Sequence, residues 1–389
     1  MTNIIALNQG LINANTTVKN IIANDRDAAM LFKFSTTGYF ATSTQLGLMP
    51  RHGINNLPFS NHAVDLLGIK MPDYSTNFSK SWAEITDHRS IELKSQSLDN
   101  QRRIVVQWSG GIDSTCIVVS ILKNFNKDER QQVVIACNWG SIVENPRFYY
   151  DHIVPNFQTV DINQFTQTYR HNFDQYLVIN GLPGDVILQS VAGLDLGLHF
   201  VDPTLLGQSW KSSPDRLIDY LQIAFGCKEL GLWFYEKLSD NINSVDMPIE
   251  TYFDFLWWGG FNYHWTSQIF SEWFANFADG SVSWQAHRNS FVNWYETVDY
   301  QRWSMVNNNQ EKYGINLGDF KKASKKYIYE YNRDEWYYRY KLKMGSPGRN
   351  QQNAQTLGAF AITDEFKILY LDQDFEDICE LLPRYMKNT

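Results

Sequence analysis

The chain has 389 residues, of which 43% are hydrophobic and 20% charged, and its formal net charge is −8. This length and composition predict a folded globular protein with more than one domain and exclude a disordered or fibrous chain. The acidic balance disfavours a general nucleic-acid binder, which needs an extended basic surface. Aromatic residues make up 15% of the chain, a level that fits either a dense core or stacking platforms for bases.

The sequence contains no pattern typical of a membrane span, a secretory signal or a cysteine-based site. No run approaches the roughly 20 apolar residues that a membrane helix needs. The first positively charged side chain is Lys19, so the N-terminus lacks the basic start of a signal peptide. The four cysteines form no C-x-x-C pair, which argues against a disulfide framework or a zinc site. These features predict a soluble, cytoplasmic protein.

The first 204 residues divide into two regions with different sequence patterns. Residues 1–98 form a polar N-terminal segment of unclear fold that ends in a predicted helix at 81–98. Residues 99–204 alternate short apolar runs, first around Ile104 and again around Val134, with helical patterns. This alternation predicts an α/β domain with a doubly wound parallel sheet, in which the loops after the strands share one ligand-binding edge.

Residues 205–389 are predicted to form an aromatic-rich helical domain that completes the substrate pocket. Ten of the 13 Trp residues lie at or beyond Trp210, so the aromatic excess belongs mainly to this region. We therefore expect the rings to pack a helical core, and any functional rings to wall a substrate pocket. The densest basic run, at 321–326, has a spacing that suits one solvated helix face. Long helical patterns cover residues 215–238, 249–277, 291–306 and 320–343.

The most specific motif is the segment SGGIDS at 109–114, which stands between a predicted buried strand and a predicted helix. Paired glycines let the backbone approach a ligand closely, and the N–H groups at a helix start favour an anion. Asp113 offers an oxygen ligand for Mg²⁺, while the two serines add hydroxyl groups. The alternative is an ordinary Ser/Gly turn with a capping Asp. The predicted phosphate cradle consists of Ser109, Gly110, Gly111, Asp113 and Ser114.

This segment resembles the SGGxDS loop of the N-type ATP pyrophosphatases, the PP-loop superfamily with a HUP-like α/β fold. That superfamily includes asparagine synthetase, GMP synthetase, NAD synthetase and several tRNA-modifying enzymes. The resemblance implies that the chain binds ATP and Mg²⁺, cleaves ATP between the α and β phosphates and adenylates a substrate oxygen. We include Trp108 and Cys137, which end the first two predicted strands, among the nucleotide-binding candidates.

A second segment, LVINGLPGDVIL at 177–188, is similar to the strand and S-G-x-G-x-D-E motif of the asparagine synthetase and β-lactam synthetase branch. The resemblance implies that Asn180 and Gly181 lie beside the AMP moiety. It also implies that Asp185, on the same sheet edge as Asp113, binds metal and pyrophosphate. A Gly-Asp helix N-cap is the alternative for this segment.

The chain departs from that branch at three positions. Leu182 stands where the branch has a glutamate that helps to recognise the amino-acid substrate, and Val186 replaces the second acid of its Asp-Glu pair. Both changes make aspartate a doubtful substrate. Asparagine synthetase also has a glutaminase cysteine directly after Met1, where this chain has Thr2. The predicted nucleophile is therefore free ammonia, a substrate amine, or ammonia supplied by a partner.

Late basic residues complete the predicted site. The resemblance implies that a lysine of the helical domain stabilises the charge that develops as the adenylate breaks down, and the candidates are Lys341 and Lys343. Solvated charges at a helix end are the alternative for these lysines. Arg349, on a Gly/Pro-rich loop, is a further phosphate-binding candidate.

These features favour an ATP-dependent, AMP-forming amide ligase that acts on a small-molecule substrate, with Asp113, Asp185 and one of the late lysines as catalytic residues. One alternative is a tRNA- or nucleobase-modifying member of the superfamily, in which aromatic residues would stack bases. The other is a nucleotide-binding protein without turnover, which Leu182 and Val186 make conceivable.

Overall fold

The structure is a computed structural model that describes residues 24, 26–27, 29–30, 51, 70–189, 194–277, 281–307, 311–312, 320–340, 342–343, 359–362 and 368–371. The strands are β1 (Arg103–Gln107), β2 (Val133–Cys137), β3 (Gln158–Asp161), β4 (Tyr176–Asn180), β5 (Phe291–Asn293), β6 (Leu342–Lys343), β7 (Ala359–Ile362) and β8 (Ile368–Leu371).

The α-helices from residue 82 onwards are α1 (Trp82–Asp99), α2 (Ile112–Asn124), α3 (Lys127–Arg130), α4 (Trp139–Glu144), α5 (Pro146–Phe148), α6 (Ile162–His171), α7 (Gly184–Leu188), α8 (Leu194–Val201), α9 (Pro214–Phe225), α10 (Lys228–Ile242), α11 (Tyr252–Gly259), α12 (Trp265–Phe277), α13 (Trp284–Ser290), α14 (Val298–Val306), α15 (Lys322–Asn332) and α16 (Glu335–Tyr340). Short 3₁₀ turns lie at Phe173–Gln175 and Pro203–Leu205, and π-helical turns at Tyr149–Ile153 and Gly260–His264.

The chain divides into two compact units, each assembled from separate stretches of sequence. The helical unit comprises Met1–Ser79, Leu182–Ser281 and Tyr295–Asn309. The sheet unit comprises Lys80–Gly181, Val282–Trp294 and Gln310–Thr389. The sequence predicts contiguous domains instead, and the boundaries at 98/99 and 204/205 stay a prediction.

The sheet unit is built on a five-stranded, all-parallel sheet with the strand order β3-β2-β1-β4-β5. Val105 of the central strand pairs with Val134 on one side and Val178 on the other. All three side chains are buried, as expected for a parallel sheet that is covered on both faces. The α/β class and the parallel sheet predicted from the sequence are confirmed.

The strand order creates a point at which the chain changes direction across the sheet. From the central β1 the chain moves through β2 to β3, then returns to the other side of β1 to form β4 and β5. The loops that follow β1 and β4 therefore flank this switch point. Ligands of open α/β sheets bind in the crevice at such a point, outside the carboxyl ends of the strands.

Helix α2 carries the segment after β1 and is buried along most of its length. It packs against β1, α1 and α15. Helix α1 begins with a capping box: the Ser81 hydroxyl accepts from the backbone N–H of Glu84, and the Glu84 carboxylate accepts from that of Ser81. The helix predicted at 81–98 and the helix predicted to follow the segment at 109–114 thus correspond to α1 and α2.

Strand β5 differs from the prediction of a helix over residues 291–306. Phe291 to Asn293 pair with β4 as a parallel strand, and α14 begins only at Val298. Three residues are too few to show a strand periodicity, so the pattern of the following helix dominated the prediction. Strands β6, β7 and β8 form a separate antiparallel sheet that the sequence did not indicate.

The helical unit is packed with aromatic side chains. The Phe261 ring stacks on Trp257 with centroids 5.0 Å apart and meets the edge of Trp265 at 5.7 Å. The guanidinium of Arg51 lies 3.9 Å from the Trp265 ring centroid. The predicted helix over 215–238 is divided at Gly226, whose φ of +61° ends α9. In the part of the chain that the structure describes, no helix has the length and apolar character needed to cross a membrane.

Candidate functional site

The segment 109–114 forms the tight turn that joins β1 to α2. Gly110 has a φ of +75°, in the left-handed region that glycine adopts without strain. A methyl group at this position would lie 2.3 Å from the carbonyl oxygen of Ser141 and 2.8 Å from the Cβ of Glu144. Because neither the conformation nor the space admits a side chain, this turn requires a glycine at position 110.

Hydrogen bonds within the turn fix its shape. The backbone N–H of Ser109 donates to the Ser114 hydroxyl at 3.0 Å, and the two serine hydroxyls are also 3.0 Å apart. The N–H of Gly111, the residue that caps α2, donates to the Ser109 hydroxyl at 3.2 Å. Hydroxyl and amide groups are thus gathered at the start of a 13-residue helix, where the helix dipole favours a negative charge.

Lys321 brings a positive charge to this turn. Its ammonium group donates a hydrogen bond to a carboxylate oxygen of Asp113. The side chains are only 6% and 19% exposed, respectively. Lys321 caps the N-terminus of α15 with a φ of +56°. The ion pair is therefore partly shielded from water, which strengthens its electrostatic interaction.

The expectation that the basic run at 321–326 forms a solvated helix face is wrong for two of its lysines. Lys321 and Lys325 are buried at 5% and 6% exposure, whereas the Lys326 side chain is 60% exposed. The periodicity of a helix shows which residues share a face but does not show which element covers that face. Here α15 packs on α2 and buries part of the basic run.

The loop after β4 meets the turn after β1. A methyl group at Gly181 would lie 3.0 Å from the Cβ of Asp113 and 3.4 Å from the backbone nitrogen of Ser114. Asn180, the last residue of β4, is 4% exposed, and its carbonyl oxygen accepts from the N–H of Trp294 at 3.0 Å. The structure thus brings together the two predicted segments of the sheet unit, SGGIDS and Asn180-Gly181, at the switch point.

Two further candidates end the neighbouring strands and are buried. The indole N–H of Trp108 donates to the Thr115 hydroxyl at 3.1 Å, so this side chain packs beneath the turn. Cys137 is the last residue of β2, and burial raises the pKa of its thiol to about 11. Cys137 is therefore a neutral, weakly nucleophilic thiol at physiological pH.

The structure does not bring the other predicted site residues to this turn. Asp185 is in the first turn of α7, in the helical unit, and is exposed. Val186 beside it is buried. Lys343 lies on β6, while Lys341 and Arg349 fall outside the residues that the structure describes. Their assignment as catalytic or phosphate-binding residues stays a prediction.

Besides Lys321, the sequence did not indicate two further buried polar residues around the turn. The hydroxyl of Tyr337 donates to the carbonyl oxygen of Gly110 at 3.1 Å. The side chain of Glu144 is buried, with a carboxylate oxygen 3.5 Å from where a methyl group at Gly111 would lie. Nothing in the sequence distinguished this tyrosine from the 20 others, because its role depends on the packing of a distant helix.

The donor set at the turn fits a Mg²⁺ ion that arrives with a nucleotide. Within the described residues there is no group of three His, Cys, Asp or Glu side chains that could hold a metal ion by itself. Mg²⁺ is commonly bound by one or two carboxylates together with the phosphates of its substrate and water. The carboxylate of Asp113, at the start of an anion-favouring helix, meets that requirement.

Comparisons with protein-family models, with curated proteins and with solved structures find no match to this chain.

Proposed function

We propose that this chain is an ATP-dependent, AMP-forming ligase of the ATP pyrophosphatase type, which adenylates a substrate oxygen and transfers the activated group to ammonia or an amine. The observation that carries this proposal is the arrangement of Lys321, Asp113 and Gly110 at the switch point of a parallel sheet. It supplies a fixed cation, a metal-binding carboxylate and a turn that the ligand's phosphates can approach closely.

The pyrophosphate part of ATP would occupy the start of α2. Its oxygens would accept from the N–H groups and hydroxyls of the turn. Lys321 would neutralise part of the charge that builds up on the leaving pyrophosphate. Asn180 and Gly181, directly beside Asp113, would contact the AMP part. With the pyrophosphate part at one loop and the AMP part at the other, the bond between the α and β phosphates would lie between the two loops. This placement suits cleavage of that bond.

Asp113 is the residue that would hold Mg²⁺, and by resemblance Asp185 is a second candidate. When bound, the metal ion supplies positive charge to the pyrophosphate leaving group. The Asp113 carboxylate accepts a hydrogen bond from Lys321. The ion pair therefore places a carboxylate that would hold the metal ion next to a cation that would bind a phosphate oxygen.

The identity of the products tests this function. The chain is incubated with Mg²⁺, ammonium, ATP labelled at the α phosphate and a panel of carboxylic acids that includes the amino acids. We expect AMP and pyrophosphate in equal amounts with at least one acid. Formation of ADP and phosphate, or no AMP above the blank with any acid, would contradict the proposal.

A matched pair of variants connects the activity to the turn. Asp113→Asn removes the carboxylate charge but keeps the size of the side chain, and we expect it to abolish AMP formation. Asp128→Asn makes the same change on the exposed face of α3 and should leave the activity intact. Thermal unfolding of each variant shows whether the fold is retained.

A further inference from the structure

The carbonyl group of Gly110 has a hydrogen-bond partner from the far end of the sheet unit's sequence. The hydroxyl of Tyr337, on α16, donates to it at 3.1 Å, across 227 positions of sequence. The Tyr337 side chain is 1% exposed. The Thr115 hydroxyl lies at 3.5 Å from the same oxygen, at the outer limit of a hydrogen bond. The hydrogen bond from Tyr337 is therefore the shorter of these two.

The backbone of Tyr337 is held by Asp334, which is itself held by Arg147. Its backbone N–H donates to a carboxylate oxygen of Asp334 at 3.0 Å, and the same carboxylate forms an ion pair with Arg147 at 3.3 Å. Asp334 is 7% exposed. Because Arg147 belongs to α5, which follows β2, the ion pair joins the start of α16 to the segment that borders the turn. The backbone of Tyr337 is thus held by a partly buried network.

The peptide that links Gly110 to Gly111 decides what the turn presents to an anion. Its carbonyl and N–H groups point in opposite directions, since the peptide is planar and trans. Flanking glycines offer little steric resistance to rotation of this peptide. In the structure the Gly111 N–H donates to the Ser109 hydroxyl at 3.2 Å. A rotation that reversed this peptide would break that hydrogen bond, replace the N–H with a carbonyl oxygen and so make the turn less favourable for an anion.

We infer that Tyr337 is a positioning residue of the phosphate site: by holding the Gly110 carbonyl, it keeps the Gly110–Gly111 peptide in the orientation in which the Gly111 N–H donates to the Ser109 hydroxyl, and so preserves the turn that presents the start of α2 to the pyrophosphate part of the nucleotide. This inference rests on the proposed function. It assigns to α16 a task in ligand recognition that requires no contact between Tyr337 and the ligand. Its effect is specific to the phosphates, since the nucleoside would contact the other loop.

The substitution Tyr337→Phe removes the hydroxyl and retains the ring. The affinities of the chain for inorganic pyrophosphate, with Mg²⁺ present, and for adenosine are measured by calorimetry. We expect Tyr337→Phe to weaken pyrophosphate binding about tenfold and to change adenosine binding by less than twofold. An equal loss for both ligands, or no loss for pyrophosphate, would overturn the inference.

Tyr331→Phe is the matched control. Tyr331 lies on the preceding helix α15, with its ring 5.4 Å from that of His152. The same atom is removed from a half-buried tyrosine of neighbouring sequence, and we expect no change in the affinity for pyrophosphate. A loss similar to that of Tyr337→Phe would show that the effect does not arise from the Gly110 carbonyl.

A ligand-free measurement separates failure of this inference from failure of the proposed function. If Tyr337 restrains the peptide, the Gly111 amide should exchange its hydrogen at least several-fold faster in Tyr337→Phe than in the unmodified chain. Unchanged exchange would contradict the inference whatever the chain binds. Faster exchange in a chain that binds no pyrophosphate would support the restraint and contradict only the proposed function.

Discussion

The ammonium group of Lys321 and the carboxylate of Asp113 form a hydrogen-bonded ion pair across 208 positions of sequence. Neither partner is a simple surface charge, because Lys321 is 6% and Asp113 19% exposed at the side chain. Breaking a partly buried ion pair by removing one partner leaves the other poorly solvated. The pair thus joins the start of α15 to the turn before α2 and places a cation at the proposed phosphate site.

Replacement of Lys321 should weaken the binding of phosphates more than that of the nucleoside. We expect Lys321→Gln to lower the affinity for Mg·ATP and for pyrophosphate by about 10- to 100-fold, the range for loss of a charge-assisted hydrogen bond. Adenosine should bind with unchanged affinity. Calorimetric titration with the three ligands measures the difference.

Lys326→Gln is the control for that substitution. Lys326 lies on α15 with a side chain that is 60% exposed and forms a distant ion pair with Glu330, at 4.0 Å. We expect all three affinities to stay within twofold of the unmodified chain. If the two lysine variants lose affinity equally, the general charge of α15 is responsible and the contact with Asp113 is not.

The glycines of the two loops should differ sharply in their tolerance of alanine. Gly110→Ala would require a positive φ and a contact of 2.3 Å with the Ser141 carbonyl oxygen, and we expect severe destabilisation. Gly181→Ala would press on Asp113 at 3.0 Å, and we expect loss of about 1–3 kcal/mol together with weaker ATP binding.

Gly207 is the comparison for both variants, since among the described residues no heavy atom other than those of its chain neighbours lies within 4 Å of a methyl group placed there. Gly207→Ala should change the free energy of unfolding by less than about 0.5 kcal/mol. Chemical denaturation of the three variants provides the values. Equal stability of Gly110→Ala and Gly207→Ala would show that the turn does not have the described conformation.

The sheet unit should lose stability in mild acid through His287. This side chain is 1% exposed, and burial, assisted by the nearby charge of Arg288, lowers its pKa to about 3. Between pH 6.5 and 3 the unfolded chain binds a proton at this position that the folded chain does not. The free energy of unfolding therefore falls as the pH drops through this range, by up to about 1.4 kcal/mol per pH unit.

Two substitutions that cannot titrate isolate this effect. His287→Phe and His287→Gln should both reduce the slope of unfolding free energy against pH by about one proton between pH 6 and 4, even if their stabilities at pH 7.5 differ. The hydroxyl of Tyr169 lies 3.3 Å from the ring and can interact with the Gln side chain as well. A slope equal to that of the unmodified chain would disprove the buried, neutral state of His287.

The side chain of Asn145 is 1% exposed, and within the described residues neither its oxygen nor its nitrogen has a hydrogen-bond partner. A buried amide in this situation costs stability, whereas an apolar group of the same shape does not. We expect Asn145→Leu to maintain or increase the free energy of unfolding.

The side-chain amide of Asn124, in contrast to that of Asn145, forms hydrogen bonds. Its amide donates to the Asp87 carboxylate at 2.9 Å and to the carbonyl oxygen of Ser120 at 2.8 Å. Asn124→Leu should lower the free energy of unfolding by about 1–3 kcal/mol. Urea denaturation at pH 7.5 compares the two variants. Destabilisation of Asn145→Leu by the same amount would indicate that the Asn145 amide forms hydrogen bonds in solution.

The centre of the sheet could be predicted from local sequence. The apolar runs around Val105 and Val134, followed by turns and helical patterns, suffice for parallel strands because both faces of such strands are buried. The paired glycines at 110 and 111, which closely follow the first run, also indicate the turn, since the positive φ of Gly110 favours glycine. These features depend on interactions among residues close in sequence.

The completion of the site could not be predicted in this way. Lys321, at the start of α15, reaches the turn because α15 packs on α2, and Tyr337 reaches it on α16, which packs on α15. Sequence periodicity carries no information on which helix packs on which. The late cations that the sequence predicts are instead Lys341 and Lys343, whose roles stay a prediction. Strand β5 was missed because three residues adjoining a helix, Phe291–Asn293, are too short for a distinct pattern.

The proposed function requires that the turn after β1 bind the pyrophosphate part of ATP, and a competition experiment tests this without knowledge of the second substrate. Pyrophosphate is titrated against the complex of the chain with Mg·ATP, using the unmodified chain, Asp113→Asn and the control Asp128→Asn. We expect pyrophosphate to displace ATP from the unmodified chain and the control, and Asp113→Asn to bind both ligands at least tenfold more weakly while its fold is retained. Failure of the unmodified chain to bind ATP or pyrophosphate, or equal affinities in folded Asp113→Asn, would contradict the account.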